Sequence, residues 1–309
     1  MKVFVAGGTG VLGRASLKSL VEAGHQVWST ARTKEKAELV RGLGAEPVDV
    51  DLYDPPAVRE AISGSEALLR LTTRIPPLAR MWDRPAWQET NRLRTEGARI
   101  LVDAALAQGV KVYVHESIVF VYADGGTQWI TEDAATDDGS SEILRSALDG
   151  EKEAARFSES GGRGIVLRLG GFYGADAPST LEMVNGMRRR LIVQPGPGEN
   201  FISSIYVPDA GRAVLAALNV PSGIYNVVDE NPLRFKDYLH TLADAMHVPK
   251  PFRFPHALGR LTLGAAWNYF SRSLRVSNVR FKNAASWKPG VPSVAEGWPL
   301  VAAEIGGKK

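Results

Sequence analysis

The sequence predicts an α/β protein, a doubly wound parallel sheet followed by a smaller C-terminal lobe for a substrate. Three observations carry this. Short apolar, β-branched runs alternate with helically spaced stretches six times over, the pattern of parallel strands joined by crossover helices. The first run, Lys2 to Ala6, passes directly into Gly7-Gly8-Thr9-Gly10-Val11-Leu12-Gly13 and then into helical spacing. Beyond about residue 175 the alternation loosens, broken by Pro195-Gly196-Pro197-Gly198, Pro249, Pro251 and Pro255. The boundaries that follow are residues 1–174 for a dinucleotide-binding domain and 175–309 for the lobe, with about 202–228 returning to the main sheet.

The glycines explain the first element. A pyrophosphate rests on a helix N-terminus only where backbone N–H groups reach it without Cβ atoms in the way, and the helix dipole favours its charge. Gly7 permits the tight turn, Gly10 the close approach and Gly13 the packing of helix on strand. Thr9, Val11 and Leu12 complete this cradle.

Val27 to Ala31 reads as the second strand, and the place just past it decides between dinucleotides. An acidic residue there would receive a ribose 2′-hydroxyl, whereas a 2′-phosphate needs a cation. That place holds Arg32, with Lys34 and Lys36 behind it. A guanidinium grips phosphate with two bonds, so NADP(H) is preferred and NAD(H) remains possible.

Glu46 to Leu52 and Ala67 to Thr73 read as the third and fourth strands. Asp51 and Leu52 are placed beside the adenine, and Thr72 and Thr73 beside ribose and pyrophosphate, because strand C-termini line the crevice of such a sheet. A loop with Pro76, Pro77 and Pro85 precedes a helical pattern from Trp87 to Gln108. Val110 to Val114 is the fifth strand, leading to His115, Glu116 and Ser117. Adjacent strand residues point to opposite faces, so these three cannot converge as a triad. Thr127 to Asp149 reads as a polar surface excursion, followed by a helix with Lys152 and a sixth strand, Gly164 to Leu169.

Composition excludes several classes. Thirty-seven basic against thirty-four acidic side chains leave a formal charge of +3. No basic stripe interleaved with aromatics points to nucleic acid. Without cysteine there is no disulfide, thiolate metal site or thiol nucleophile, and the five histidines show no ligand spacing. No apolar run approaches the roughly twenty residues that span a bilayer. The expectation is a cytoplasmic protein with a small-molecule substrate, no metal, no membrane partner and an open oligomeric state.

With these motifs in place, the chain resembles the extended short-chain dehydrogenase/reductases, which include NAD-dependent epimerases and dehydratases and share the Rossmann fold. The resemblance covers nearly the whole length. Thr90-Asn91-x-x-x-Thr95 matches the family's Asn-containing helix. Arg168-Leu-Gly-Gly-Phe-Tyr-Gly174 is similar to its Arg-Pro-x-x-Val-Tyr-Gly segment, and Ile202 to Ala213 to its stretch with a histidine where this chain has Tyr206. Ser277-Asn278 through Trp287-Lys288-Pro289 resembles the closing signature.

The catalytic motif departs from the family. A serine or threonine and a Tyr-x-x-x-Lys pair are implied, the phenol exchanging a proton with a substrate oxygen and the lysine holding the ribose. Aligned through Val121-Tyr122, the hydroxyl position falls on Ile118, with Ser117 one residue early. Lys152 is the lysine the resemblance implies, but Leu148 stands four residues before it, and no tyrosine lies between Tyr122 and Tyr173. Lys152 is therefore expected to hold the nicotinamide ribose and Ser117 to polarise a carbonyl. Tyr122 and Tyr173 are substitute acids. Arg188-Arg189-Arg190 reads as an anionic clamp or as an exposed helix end, and Trp267, Tyr269, Phe270, Phe252 and Phe254 as pocket or core.

Three functions remain open. One is a ketoreductase of a hydrophobic small molecule, polycyclic aromatic ketones included, since some Tyr-lacking members of the family reduce such polyketides. The others are a redox-inactive NADP-binding sensor and a non-redox epimerase or dehydratase.

Overall fold

Seven strands form one parallel sheet: β1 (Lys2–Ala6), β2 (Gln26–Thr30), β3 (Glu46–Val48), β4 (Ala67–Arg70), β5 (Val112–Ile118), β6 (Arg163–Leu169) and β7 (Gly223–Val227). Their spatial order is β7-β6-β5-β4-β1-β2-β3. The chain therefore winds outward from β1 in one direction and from β4 in the other. The crevice between these two strands is the switch point where such sheets bind ligands. The computed structural model describes residues 1–81, 83–137, 141–254 and 272–307.

Helices cover both faces. On one face α1 (Val11–Glu22) packs against α8 (Val207–Ala217), so closely that a Cβ on Gly211 would lie 2.5 Å from the Ala15 carbonyl oxygen. Val3, Val5, Leu17, Leu69, Val114, Ile165 and Val214 are buried between helices and sheet there. The other face carries α3 (Pro55–Ala61), α5 (Ala98–Ala107) and α6 (Glu142–Glu159), over Phe4, Leu68, Tyr113 and Val166. Alternate strand residues thus serve opposite layers, as the two-residue period requires.

Two helical regions differ from the sequence expectation. The pattern from Trp87 to Gln108 is α4 (Gln88–Arg92), a π-helical turn over Leu93–Gly97 and α5. The last helix before β6 begins at Glu142, within the stretch expected to be a surface excursion. Ser141 caps it, its hydroxyl accepting from the Leu144 N–H at 3.2 Å. The amphipathic period from Leu144 to Phe157 outweighs the acid-rich composition that suggested a loop.

The C-terminal lobe has its own core of Tyr173, Val184, Tyr206, Tyr238, Leu239, Trp298 and Val301. Its small sheets include a parallel pair between Gly171–Tyr173 and Ser204–Tyr206. The lobe is tied back to α8 by Asp209, whose buried carboxylate accepts the N–H groups of Gly290 and Val291.

Candidate functional site

At the carboxyl end of β1 the chain turns on Gly7, whose φ is +105°. A Cβ there would stand 2.7 Å from the Leu71 carbonyl oxygen, so only glycine allows β1 and the segment after β4 to approach. Gly13 is equally constrained, since its Cβ would meet the Gly7 oxygen at 2.1 Å. Gly8, between them, is equally tight: a Cβ on it would meet the Ser29 hydroxyl of β2 at 2.1 Å. Around Gly10 there is room, with only the Gly7 oxygen at 3.4 Å.

Gly10 caps α1 without a side-chain hydrogen bond, and the first turn of the helix, Val11, Leu12 and Gly13, carries no acidic residue. Its N–H groups are thus left to an anion. The Thr9 carbonyl accepts from Arg14 Nη1 at 3.0 Å and the Gly7 N–H donates to Thr30 Oγ1 at 2.9 Å, fixing the loop from both sides. Thr72 follows β4 next to this turn, and its Oγ1 is buried with no hydrogen-bond partner. A buried hydroxyl without a partner beside an open helix N-terminus fits a polar ligand. Thr73 beside it is half-buried.

Arg32 lies two residues past the end of β2, exposed, and among the described residues no carboxylate engages it. Thr33 behind it caps α2 (Lys34–Gly42) through the Lys36 N–H. Asp51 is exposed, its carboxylate accepting the Tyr53 N–H at 3.1 Å, while Leu52 is buried. Residues from four separate strand ends therefore border one crevice. They would hold the phosphates, 2′-phosphate and adenosine of a dinucleotide.

The other end of the crevice is built differently, and it corrects two expectations. Ser117 is buried, and its hydroxyl donates to Glu151 Oε1 at 2.6 Å. Glu151 also receives Arg168 Nε at 2.9 Å and Nη2 at 2.6 Å. The Ser117 proton is thus committed to a buried ion pair rather than to a substrate carbonyl. Lys152 is one residue on, about 100° around the helix. Its side chain is 75 % exposed and pairs with Asp149 at 2.7 Å, so it faces solvent and not the strand ends. The sheet-facing stripe is set by Glu151, and four and eight residues before it stand Ala147 and Ile143. A Tyr-x-x-x-Lys pair aimed at the strand ends would occupy 143 and 147, and both positions are apolar.

Both substitute phenols are buried. Tyr122 is buried, donates to Asn226 Oδ1 at 2.7 Å and lies under the Arg168 guanidinium, 4.8 Å from its ring. Burial pushes its pKa up despite that cation. Tyr173 is buried beside the Asp229 carboxyl, and both groups are pushed upward by desolvation. Tyr206 donates to Glu304 Oε1 at 2.9 Å, and burial with that carboxylate raises it to about 12.

His115 and Glu116 take different partners, as strand alternation requires. His115 Nδ1 lies 3.1 Å from the Tyr113 hydroxyl, and burial between Arg70 and Arg94 keeps the ring neutral well below its usual pKa. Glu116 meets the fully buried Arg70 at 3.3 Å, and desolvation raises its pKa against the pull of the two arginines. Asn91 receives the Ser146 hydroxyl at 2.8 Å. That bond borders a polar cleft of about 360 Å³ between α4 and α6, lined also by Gln88, Thr95, Arg145 and Asp149. Of the aromatics expected in a pocket, Phe252 is 73 % exposed and Phe254 half-buried. Trp267, Tyr269 and Phe270 lie outside the described residues.

Residues 3–227 match the NAD dependent epimerase/dehydratase family. The chain belongs to that family. It is 31 % identical, over 96 % of its length and 99 % of the relative's, to a 3-diazoavenalumate denitrifying reductase of a Streptomyces species. A 4-hydroxy-2-methyl-3-oxo-4-farnesyl-3,4-dihydroquinoline-1-oxide ketoreductase of Stigmatella aurantiaca is 26 % identical over 80 % of this chain and 74 % of its own. In structure the chain resembles the human epimerase family protein SDR39U1, crystallised with NADPH. The TM-score is 0.80 at 21 % identity, covering 98 % of this chain and 99 % of that one. Among the described residues no helix is long and apolar enough to cross a membrane.

Proposed function

We propose that the chain is an NADPH-dependent reductase of a carbonyl on a hydrophobic, aromatic small molecule, and that it works without a tyrosine acid. The observation that carries this is the contrast within one crevice: a complete dinucleotide cradle faces an α6 stripe of Ile143 and Ala147. The reductase names of its relatives support the class of reaction. Arg32 selects the 2′-phosphate, and Gly7, Gly10, Gly13 and Thr72 seat the rest. When bound, the cofactor supplies the hydride. The chain positions the acceptor, and the alkoxide takes its proton from solvent or from a hydroxyl of the substrate itself. General acid help is worth roughly 10²- to 10⁴-fold, so its loss slows such a transfer without forbidding it. Epimerisation, which needs a base in place, loses more.

The same stripe favours a second acceptor, a diazo group, which the name of the Streptomyces relative includes. A diazonium nitrogen takes a hydride with no proton from the protein, and the resulting aryldiazene loses dinitrogen to leave the arene carrying that hydrogen. The test is NADPH oxidation, followed by mass analysis of products, with polycyclic ketones and with aryl diazonium salts. Alcohol formation that survives Tyr122→Phe supports the ketoreductase. Dinitrogen release replaces the carbonyl with the diazo acceptor. Tight NADPH binding with no turnover on either set would overturn both readings in favour of a redox-inactive NADP-binding protein.

A further inference from the structure

The arginine run Arg188-Arg189-Arg190 lies at the end of α7 (Pro178–Arg188), and the cofactor crevice makes no use of it. All three side chains are exposed, and none forms an ion pair among the described residues. The chain then turns, the Leu191 N–H bonding back to the Gly186 carbonyl at 2.8 Å, and runs into Leu191-Ile192-Val193. Leu191 is 70 % exposed and Val193 45 %. This segment is laced to Pro249–Phe254: the Gln194 N–H donates to the Phe252 carbonyl at 2.8 Å, and Arg253 pairs in register with Gln194. Met187, Arg190, Ile192, Lys250 and Phe252 border one shallow depression there. The tip of the lobe thus presents Leu191, Val193 and Phe252 in the open, with Arg190 and Lys250 bordering the depression beside Phe252 and Arg188, Arg189 and Arg253 exposed on the same two segments.

We propose that this tip is a docking surface for an anionic lipid bilayer. Three large apolar side chains this exposed, on two segments hydrogen-bonded to each other, mark an interaction site rather than ordinary surface. The basic side chains select its kind. Among the described residues Lys250 pairs with Asp244 at 3.7 Å and Arg253 lies near Glu199, a carboxylate held by Arg234 and Lys236, while Glu182 accepts the Leu78 N–H and Arg188, Arg189 and Arg190 form no ion pair. The net charge of the patch is positive on a chain that is otherwise nearly balanced. Apolar side chains that enter the headgroup boundary, beside arginines that meet anionic headgroups, are what peripheral binding requires. A nucleic acid would use the arginines and leave Leu191, Val193 and Phe252 uncovered. A second copy would bring like charge against like.

Each basic residue near an anionic surface strengthens partition about five-fold. Burying an exposed leucine adds ten-fold or more, on the order of its transfer free energy. The experiment is co-sedimentation of the full chain with phosphatidylcholine vesicles containing about one-third phosphatidylglycerol, and with phosphatidylcholine alone, at low and high salt. Binding is expected to the anionic vesicles and to fall with salt. R188Q/R189Q should weaken it about twenty-five-fold, and L191S/V193S should weaken it about ten-fold or more. NADPH affinity unchanged in both variants shows that each still folds. Three outcomes overturn the proposal: no binding to anionic vesicles, binding that neither variant changes, and a vesicle-independent dimer that L191S/V193S dissociates. Competition by RNA that is lost in R188Q/R189Q and kept in L191S/V193S would assign the patch to nucleic acid instead.

Discussion

The two ends of the crevice obey different rules. At the β1 end, backbone makes the site: N–H groups of an open helix terminus and glycines whose Cβ positions are already occupied by carbonyl oxygens. At the α6 end, side chains would have to make it, and those present are turned elsewhere, Ser117 into the Glu151–Arg168 pair and Lys152 out to Asp149. A backbone site is constrained residue by residue and cannot drift without losing the turn. A side-chain site can lose its chemistry while the helix beneath it stays intact, because the buried stripe through Ala147, Glu151 and Ala154 still packs.

That contrast can be broken most sharply at Gly13. Gly13→Ala forces a Cβ to within 2.1 Å of the Gly7 oxygen, so NADPH affinity, read by fluorescence titration, should fall on the order of a hundred-fold or more. At the opposite end, Glu151→Gln leaves Arg168 buried without its counter-charge. The expected loss is about 3–5 kcal/mol of stability, measured by urea denaturation, with the cofactor cradle unchanged in whatever protein remains folded. Arg32→Ala removes a charge-assisted phosphate grip, so the Kd for NADPH should rise about ten- to hundred-fold while that for NADH stays put. Equal affinities before and after would mean that the 2′-phosphate is read elsewhere.

Smaller effects sharpen the picture of the lobe and of α6. Asp229 is raised by burial, so the folded state keeps its proton to higher pH than the unfolded state does. Its contribution to stability is therefore lost as pH rises above the ordinary aspartate value of about 3.9. Asp229→Asn should raise Tm by about 2–4 °C at pH 7 and flatten that limb of the pH profile. His115 acts with the opposite sign, since a ring kept neutral in the fold costs stability as pH falls below about 6.5. Smallest of all, Lys152→Ala removes an exposed pair with Asp149. Cofactor affinity and turnover should change less than about two-fold, and a larger loss would restore the ribose contact that its position in sequence suggested.

The cofactor end was legible because its signal is local. Strand, glycine turn and helix start follow one another within fifteen residues, and the turn geometry admits few other residues. The crossover order follows from alternating strand and helix patterns. What the sequence determined by itself is thus the parallel sheet, its switch point and the glycine turn at the carboxyl end of β1. Spacing could not place Lys152, because the α6 boundary and the rotation of that helix are set by Ser141 at its cap and by burial of Glu151 against Arg168, a partner seventeen residues away on β6. Gly8 against Ser29, Gly211 against Ala15 and the exposed tip at Leu191 and Phe252 likewise come from contacts between distant segments. Tertiary structure decided those, because which way a side chain faces depends on what its helix packs against, and one residue of helical rotation, about 100°, separates a buried ion pair from open water.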